Sequence, residues 1–182
     1  MEDLSLHILD IAENAIAAGA SRIRIEIEED GSKDRLILEV TDDGKGMESA
    51  LAEKVHDPFF TTRTTRRVGL GLPLLEQAAR AANGVMSVKS TPGAGTVVRA
   101  TFQLSHVDRQ PLGNIAATIT TLIARSPDIE FIYSHSRDDH AVCFTTEELR
   151  KYLDGMAVNS AGVLSYVLKY LSQEEASLDH NA

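Results

Sequence analysis

The chain has 182 residues, 43% hydrophobic and 25% charged, a globular composition with room for one large core or two small ones. Its net charge of -9, from 18 Lys and Arg against 27 Asp and Glu, excludes broad non-specific attraction to nucleic acid or to an anionic membrane surface. The single cysteine, Cys143, rules out an internal disulfide, and neither a membrane-spanning apolar run nor a basic-then-apolar leader occurs, so a cytoplasmic location is expected.

Leu4, Ile8, Ile11 and Ala15 recur at three- and four-residue spacing over residues 3–18, the period of an amphipathic helix, with Gly19 at the C-cap position. SRIRIEIEE (21–29) alternates Ile23, Ile25 and Ile27 with charged residues, and RLILEVT (35–41) alternates through Leu36, Leu38 and Val40. Both predict half-buried strands. VTDDGKGM (40–47) follows. An Asp-Gly pair after an apolar run is a strong hairpin signal. Alternating oxygen ligands would also suit calcium, but no later bidentate Glu stands at the required spacing. A short helical stretch near 48–55 precedes DPFFTTRTTRR, where Pro, Thr and Arg crowd without period and mark a loop. LGLPLLEQAARAANG (70–84) predicts a helix with Pro near its start and Gly at its end. VMSVKS and GTVVRATFQL predict two strands joined by TPGAG, and SHVDRQPLGN breaks the pattern. Beyond it the spacing predicts a helix over 112–125, strands over 129–135 and 140–145 around a turn at SRDD, and helices near 146–154 and 160–172. The chain thus divides into residues 1–105 and a small α+β segment, 106–182.

Four stretches carry polar groups suited to chemistry. On the first helix Asp10 and Asn14 lie four residues apart and therefore share a face; a solvated helix face gives the same pattern. Asp42 and Asp43 open the glycine turn. DPFFTTR (57–63) and VGLGLPLL (68–75) complete the set, and in the second Gly69 and Gly71 precede a helix. Backbone N–H groups and the dipole at such a helix start favour an anion such as phosphate. His135, His140 and Cys143 lack both a fourth ligand and the paired spacing of a zinc site, and a turn and a strand account for them. His7 reads as a packing or surface residue.

ILDIAENAIAAGAS, DDGKGM, DPFFTTR, GLGL and GAGTVVRATF stand in the order of an N-box, a first glycine box, an F-box, a second glycine box and a closing strand. Over about residues 4–104 the chain resembles the GHKL ATPases, the superfamily of gyrase, the heat-shock chaperone, histidine kinases and MutL. The resemblance implies a two-layer α/β sandwich, the Bergerat fold, in which helices cover one face of a mixed sheet, and it implies binding of ATP with magnesium. Asp42 would accept a hydrogen bond from the adenine amino group, Gly44 and Gly46 would pass beneath the ring, and Met47 would line the adenine pocket. Phe60, or its neighbour Phe59, would pack under the loop covering the nucleotide. Gly69, Leu70, Gly71 and Leu72 would hold the phosphates, Thr96 would reach adenine through water, and Asn14 would bind magnesium, whose shell phosphate oxygens and water complete. Asp43 is expected to be structural.

The departures from the pattern are informative. Asp10 stands where hydrolysing members carry Glu and histidine kinases usually carry Asn. It is the expected general base, with a shorter reach, which suits slow hydrolysis. Arg63 replaces the frequent Lys of the F-box, and Arg66 and Arg67 follow it; guanidinium forks suit a triphosphate. Ala17 stands where many kinases have a phosphate-contacting Lys, and Arg67-Val68 replaces a common Gly-Thr pair. The N-box begins at Ile8, so no phosphoacceptor domain is expected ahead of it. GLGLPLLEQAARAANG resembles histidine kinases and anti-sigma kinases more than MutL or gyrase. Two functions follow from the resemblance. One is a kinase-type protein that transfers the γ-phosphate to a separate protein or slowly hydrolyses ATP. The other is a non-catalytic switch in which ATP orders the lid and so docks a partner. Under both, residues 106–182 are expected to meet a partner protein or a second copy of the chain, without nucleic acid or membrane.

Overall fold

The computed structural model describes residues 2–48 and 71–180. β1 (Arg22–Asp30) and β2 (Arg35–Asp42) pair antiparallel, Ile25 opposite Val40 and Ile27 opposite Leu38. Their apolar residues therefore meet on one face, as alternation requires. β3 (Met86–Thr91) and β4 (Gly95–Gln103) extend the sheet on the β2 side. On the β1 side β5 (Glu130–Arg137) runs parallel and β6 (His140–Thr145) antiparallel to it. The result is one mixed six-stranded sheet in the order β3-β4-β2-β1-β5-β6.

One face of that sheet is covered. α1 (Leu4–Ala17) lies between α2 (Gly71–Ala81) and α3 (Ile115–Arg125), and α5 (Ala161–His180) packs on α3 and β6. The remaining helix, α4 (Thr146–Lys151), is a short turn after β6. Leu4, Ile8 and Ile11 of α1 are buried against Ile23, Ile25, Leu36 and Leu38 of the strands, each such side chain contributing about 1.5–3 kcal/mol by leaving water. The other face carries Arg24, Glu28, Arg35, Glu39 and Arg99, with ion pairs Arg35–Glu28 at 3.4 Å and Arg99–Glu39 at 2.7 Å. This is the expected two-layer α/β sandwich, helices on one face of a mixed sheet.

Residues from 106 onward have the α+β order expected, but their strands enter the same sheet. β5 pairs along β1 from Arg22↔Glu130 to Glu29↔Arg137, and Phe131 and Tyr133 lie in the same apolar cluster as Ile23 and Ile25. Parallel neighbours need a crossover, and α3 lies on that path. The segment therefore completes the core of residues 1–105. Its elements also run further than their patterns imply. β5 takes in Ser136 and Arg137, leaving a two-residue turn in which Asp138 has φ +50. α5 continues beyond residue 172 because Leu178 extends the buried stripe of Val163, Val167 and Leu171. The expected helical stretch near 48–55 and the DPFFTTR loop lie outside the described residues.

The connector between the two stretches caps α1. The first N–H groups of a helix have no partner within it; here Leu4 and Ser5 donate theirs to the carbonyls of Pro111 and Leu112 at 2.9 and 2.8 Å, and Asp3 accepts from Leu6 at 3.1 Å. His7 is buried, with Nε2 bonded to Gln110 Oε1 at 3.1 Å, and burial lowers its pKa. It is a packing residue. No helix among the described residues is long and apolar enough to cross a membrane.

Candidate functional site

Asp42 ends β2 at the centre of the sheet, opposite Ile23 of β1 and Thr96 of β4. Its half-buried carboxylate accepts the Gly44 N–H at 2.8 Å. Burial pushes the carboxyl above its ordinary range, and the backbone N–H groups of Gly44 and Thr96 act against that rise. No ion pair reaches it among the described residues. Such a group is an acceptor that lacks a counter-charge, suited to a neutral donor such as an amino group.

The adjacent Asp43 has a different task. It accepts Ser21 N–H at 2.8 Å, Ser21 Oγ–H at 2.6 Å and Arg22 N–H at 2.8 Å, tying the turn to the start of β1. Desolvation opposes its charge, and these Ser21 and Arg22 donors outweigh it and lower the pKa. Asp43 is a structural anchor.

Beyond Asp43 the chain lies close to its neighbours. Gly44 is buried, and a methyl there would stand 2.9 Å from Asp42 Oδ1 and 3.1 Å from Ala18 Cβ. Gly46 has φ +63 and rests on the Thr91 carbonyl, so a side chain would be both strained and obstructed. Met47 N–H donates to Ser90 Oγ at 2.8 Å, and that hydroxyl also lies 2.9 Å from Thr96 Oγ1 and 3.1 Å from the Gly95 carbonyl. Ser90 thus links Met47 to Thr96, a part that motif reasoning missed. The usable signal was register: Ser90 pairs with Thr96 across β3 and β4.

The helices bring in the remaining residues. Asp10 is half-buried and Asn14 exposed, one turn apart on α1. Gly71 begins α2 against Asp10, where any Cβ would run into the Asp10 carboxylate. Leu72 follows, half-buried against the core. At the other end of α1, Ala18 donates its N–H to the Asn14 carbonyl at 2.9 Å and accepts Lys45 N–H at 3.1 Å. Asp42, Gly44, Ala18, Asn14, Asp10 and Gly71 therefore form one connected wall, drawn from stretches far apart in sequence. Phe59, Phe60, Arg63, Arg66, Arg67, Gly69 and Leu70 lie outside the described residues.

The three metal candidates of the later segment do not converge. His135 is buried between Glu29 and Glu175, at 2.9 and 2.8 Å, whereas Cys143 is exposed and pairs with Ser134 on the opposite side of the strand. No cluster of three or more His, Cys, Asp or Glu suited to a metal occurs among the described residues.

A family model described as histidine kinase-, DNA gyrase B-, and HSP90-like ATPase matches residues 2–106. The chain is 39% identical over 108 residues to the sensor protein kinase FleS of Pseudomonas aeruginosa, covering 59% of this chain and 26% of that protein. It is 34% identical over 104 residues to the sensor histidine kinase YxdK of Bacillus subtilis, covering 54% of this chain and 32% of that protein. The chain thus spans a third or less of the length of these relatives. Among solved structures, the MutL ATPase domain of Aquifex aeolicus complexed with ADP is similar in fold, with TM-score 0.50 and 15% identity over 78% of this chain and 64% of that one.

Proposed function

The chain belongs to the histidine kinase-, DNA gyrase B- and HSP90-like ATPases, and from that premise we propose that it binds ATP with magnesium along the wall from Asp42 to Gly71 and passes the γ-phosphate to a separate protein, hydrolysing ATP slowly when none is present. Asp42 accepts from the adenine amino group; its raised pKa and the absence of a cation partner among the described residues support that role. Gly44, Gly46 and Met47 floor the base pocket, with Thr96 beside it. Gly71 and Leu72, with Gly69 and Leu70 before them, hold the phosphates at the start of α2, where Arg63 adds charge, and Phe60 packs under the covering loop.

Asn14 presents a neutral amide oxygen on the exposed face of α1, which fits a hard cation that retains phosphate and water ligands. Magnesium, when bound there, offsets charge on the triphosphate. Asp10 receives the proton of the attacking water in hydrolysis, leaving ADP and phosphate. In transfer, the acceptor side chain of the partner takes the phosphoryl group, a step that asks mainly for positioning and charge neutralisation. Residues 106–182 meet that partner, a reading supported by the exposed Tyr152, Met156 and Tyr166.

The observation that carries this reading is the contact of Gly71 with Asp10, which sets the glycine-bracketed helix tip directly on the helix bearing Asn14. Calorimetry with ATP and magnesium should register binding, and labelled ATP should yield labelled partner or a slow release of phosphate. Absence of binding rejects the site. Binding without transfer or release, accompanied by altered partner affinity, replaces the kinase with an ATP-dependent docking switch. Turnover that is unchanged in Asp10→Ala removes the base from Asp10.

A further inference from the structure

Packing fixes the imidazole of His7 on α1 but leaves one of its nitrogens unused. The residue is 1% exposed, and its Nε2 lies 3.1 Å from Oε1 of Gln110 in the connector. An amide oxygen only accepts, so in the neutral ring the hydrogen sits on Nε2 and Nδ1 is bare. That Nδ1 is buried without a hydrogen-bond partner, a condition it shares only with Arg35 Nε among the buried side-chain atoms of the described residues. Buried polar atoms are nearly always paired, so the exception calls for a reason.

The surroundings of that nitrogen supply one. His7 stands one turn before Asp10 on α1, and the Asp10 carboxylate meets Gly71 at the start of α2. The Gly71 backbone also reaches the ring closely enough to favour its cation, as a carbonyl acceptor does. Because Nε2 is taken by Gln110, the nitrogen left to face that carbonyl is Nδ1. Two acceptors then confront each other with no hydrogen between them. Burial lowers the His7 pKa, so the ring is neutral at pH 7. The charges that act on it are the amino terminus, which lowers the pKa further, and Asp10, which raises it; the connector and α2 face it with neutral groups, the Gln110 amide and the Gly71 backbone.

We propose that His7 is a positioning residue for the bound triphosphate: when nucleotide arrives, Nδ1 takes a proton from solvent and donates it in a hydrogen bond to the Gly71 carbonyl, fixing the start of α2 beneath the phosphates. This role rests on the ATP reading given above. The negative charge of the triphosphate stabilises the ring cation, and a charged donor makes a stronger hydrogen bond than a neutral one. Gln110 already holds the ring in place. Since a proton is bound together with the nucleotide, affinity falls as pH rises between the ring's pKa without nucleotide and its higher pKa with nucleotide, and His7 adds no dependence outside that window.

The β,γ-imido analogue of ATP, which resists hydrolysis, is titrated with magnesium into the parent protein and into His7→Asn, whose amide places a permanent, uncharged donor near the position of Nδ1. In the parent, NMR of the assigned His7 ring should show the neutral imidazole with its hydrogen on Nε2 at pH 7 without nucleotide, and a titration midpoint at least about one pH unit higher at saturation. Calorimetric affinity should fall about tenfold more in the parent than in His7→Asn between pH 6 and pH 8. The ring measurement uses the parent alone and gives the answer if His7→Asn fails to fold. Binding with an unmoved ring midpoint, or an equal pH dependence in folded His7→Asn, overturns the role of His7 and leaves the nucleotide site standing. An analogue that does not bind at any pH removes both.

Discussion

Asp42 and Glu29 lie near opposite ends of the β1–β2 pair, and the fold treats these two carboxylates in opposite ways. Glu29 is 3% exposed and sits between His135 and Arg137, whose hydrogen bonds and charges overcome its desolvation and lower its pKa. Asp42 is half-buried, has only backbone donors among the described residues, and its pKa rises. Burial penalises both; the difference is a cation. Where a counter-charge is in reach the carboxylate is a structural tie, and where none is in reach among the described residues burial keeps its pKa raised.

The largest expected effect breaks the tied end. His135→Ala strands Glu29 and Glu175 without their shared cation and should lower stability to urea unfolding by about 3–5 kcal/mol, as for other buried pairs that lose one partner. Nucleotide affinity, measured at a temperature where the variant remains folded, should be retained. The same tie sets a pH dependence. Because folding raises the His135 pKa from 6.5 to about 9, its contribution is fully present below pH 6.5 and is lost as pH rises through 9, a change on the order of 3 kcal/mol. Chemical denaturation across that window checks it, and in His135→Ala the decline should disappear.

At the open end Asp42→Asn should leave stability nearly unchanged while weakening ATP binding by roughly 10- to 100-fold, the worth of one charged hydrogen bond. Calorimetry decides it, and undiminished affinity would move the base elsewhere. Ser90→Ala should have the smallest effect. It removes the acceptor for Met47 N–H and the link to Thr96, at a cost of about 1 kcal/mol in stability, with a modest loss of ATP affinity read in the same titration. A Ser90→Thr variant should recover both.

Much of the fold was legible in the chain because its signals are local. The alternation in β1 and β2, the 3.6-residue stripe of α1 and the Pro and Gly around α2 act over a few residues, and each element formed where its pattern stood. The same holds for the nucleotide motifs, in which the need for glycine at 44, 46 and 71 is a steric fact that a close approach imposes. Ser90 was not legible. Its part depends on the register of β3 on β4, which no single strand encodes.

By itself, the sequence determined the class of the fold, the motif order and the residues with the right chemistry for a phosphate-bearing ligand, since composition, period and glycine placement are properties of short stretches. Only the tertiary structure decided that residues 106–182 complete the sheet instead of forming a separate unit, and that Glu29, His135 and Glu175 share one buried network. It also decided that Asp42 meets no cation among the described residues. Those outcomes depend on long-range pairing, Ile23 with Phe131 and Ile27 with His135, and on the free energy of burying charge, which is settled by whichever groups the packed chain brings within reach.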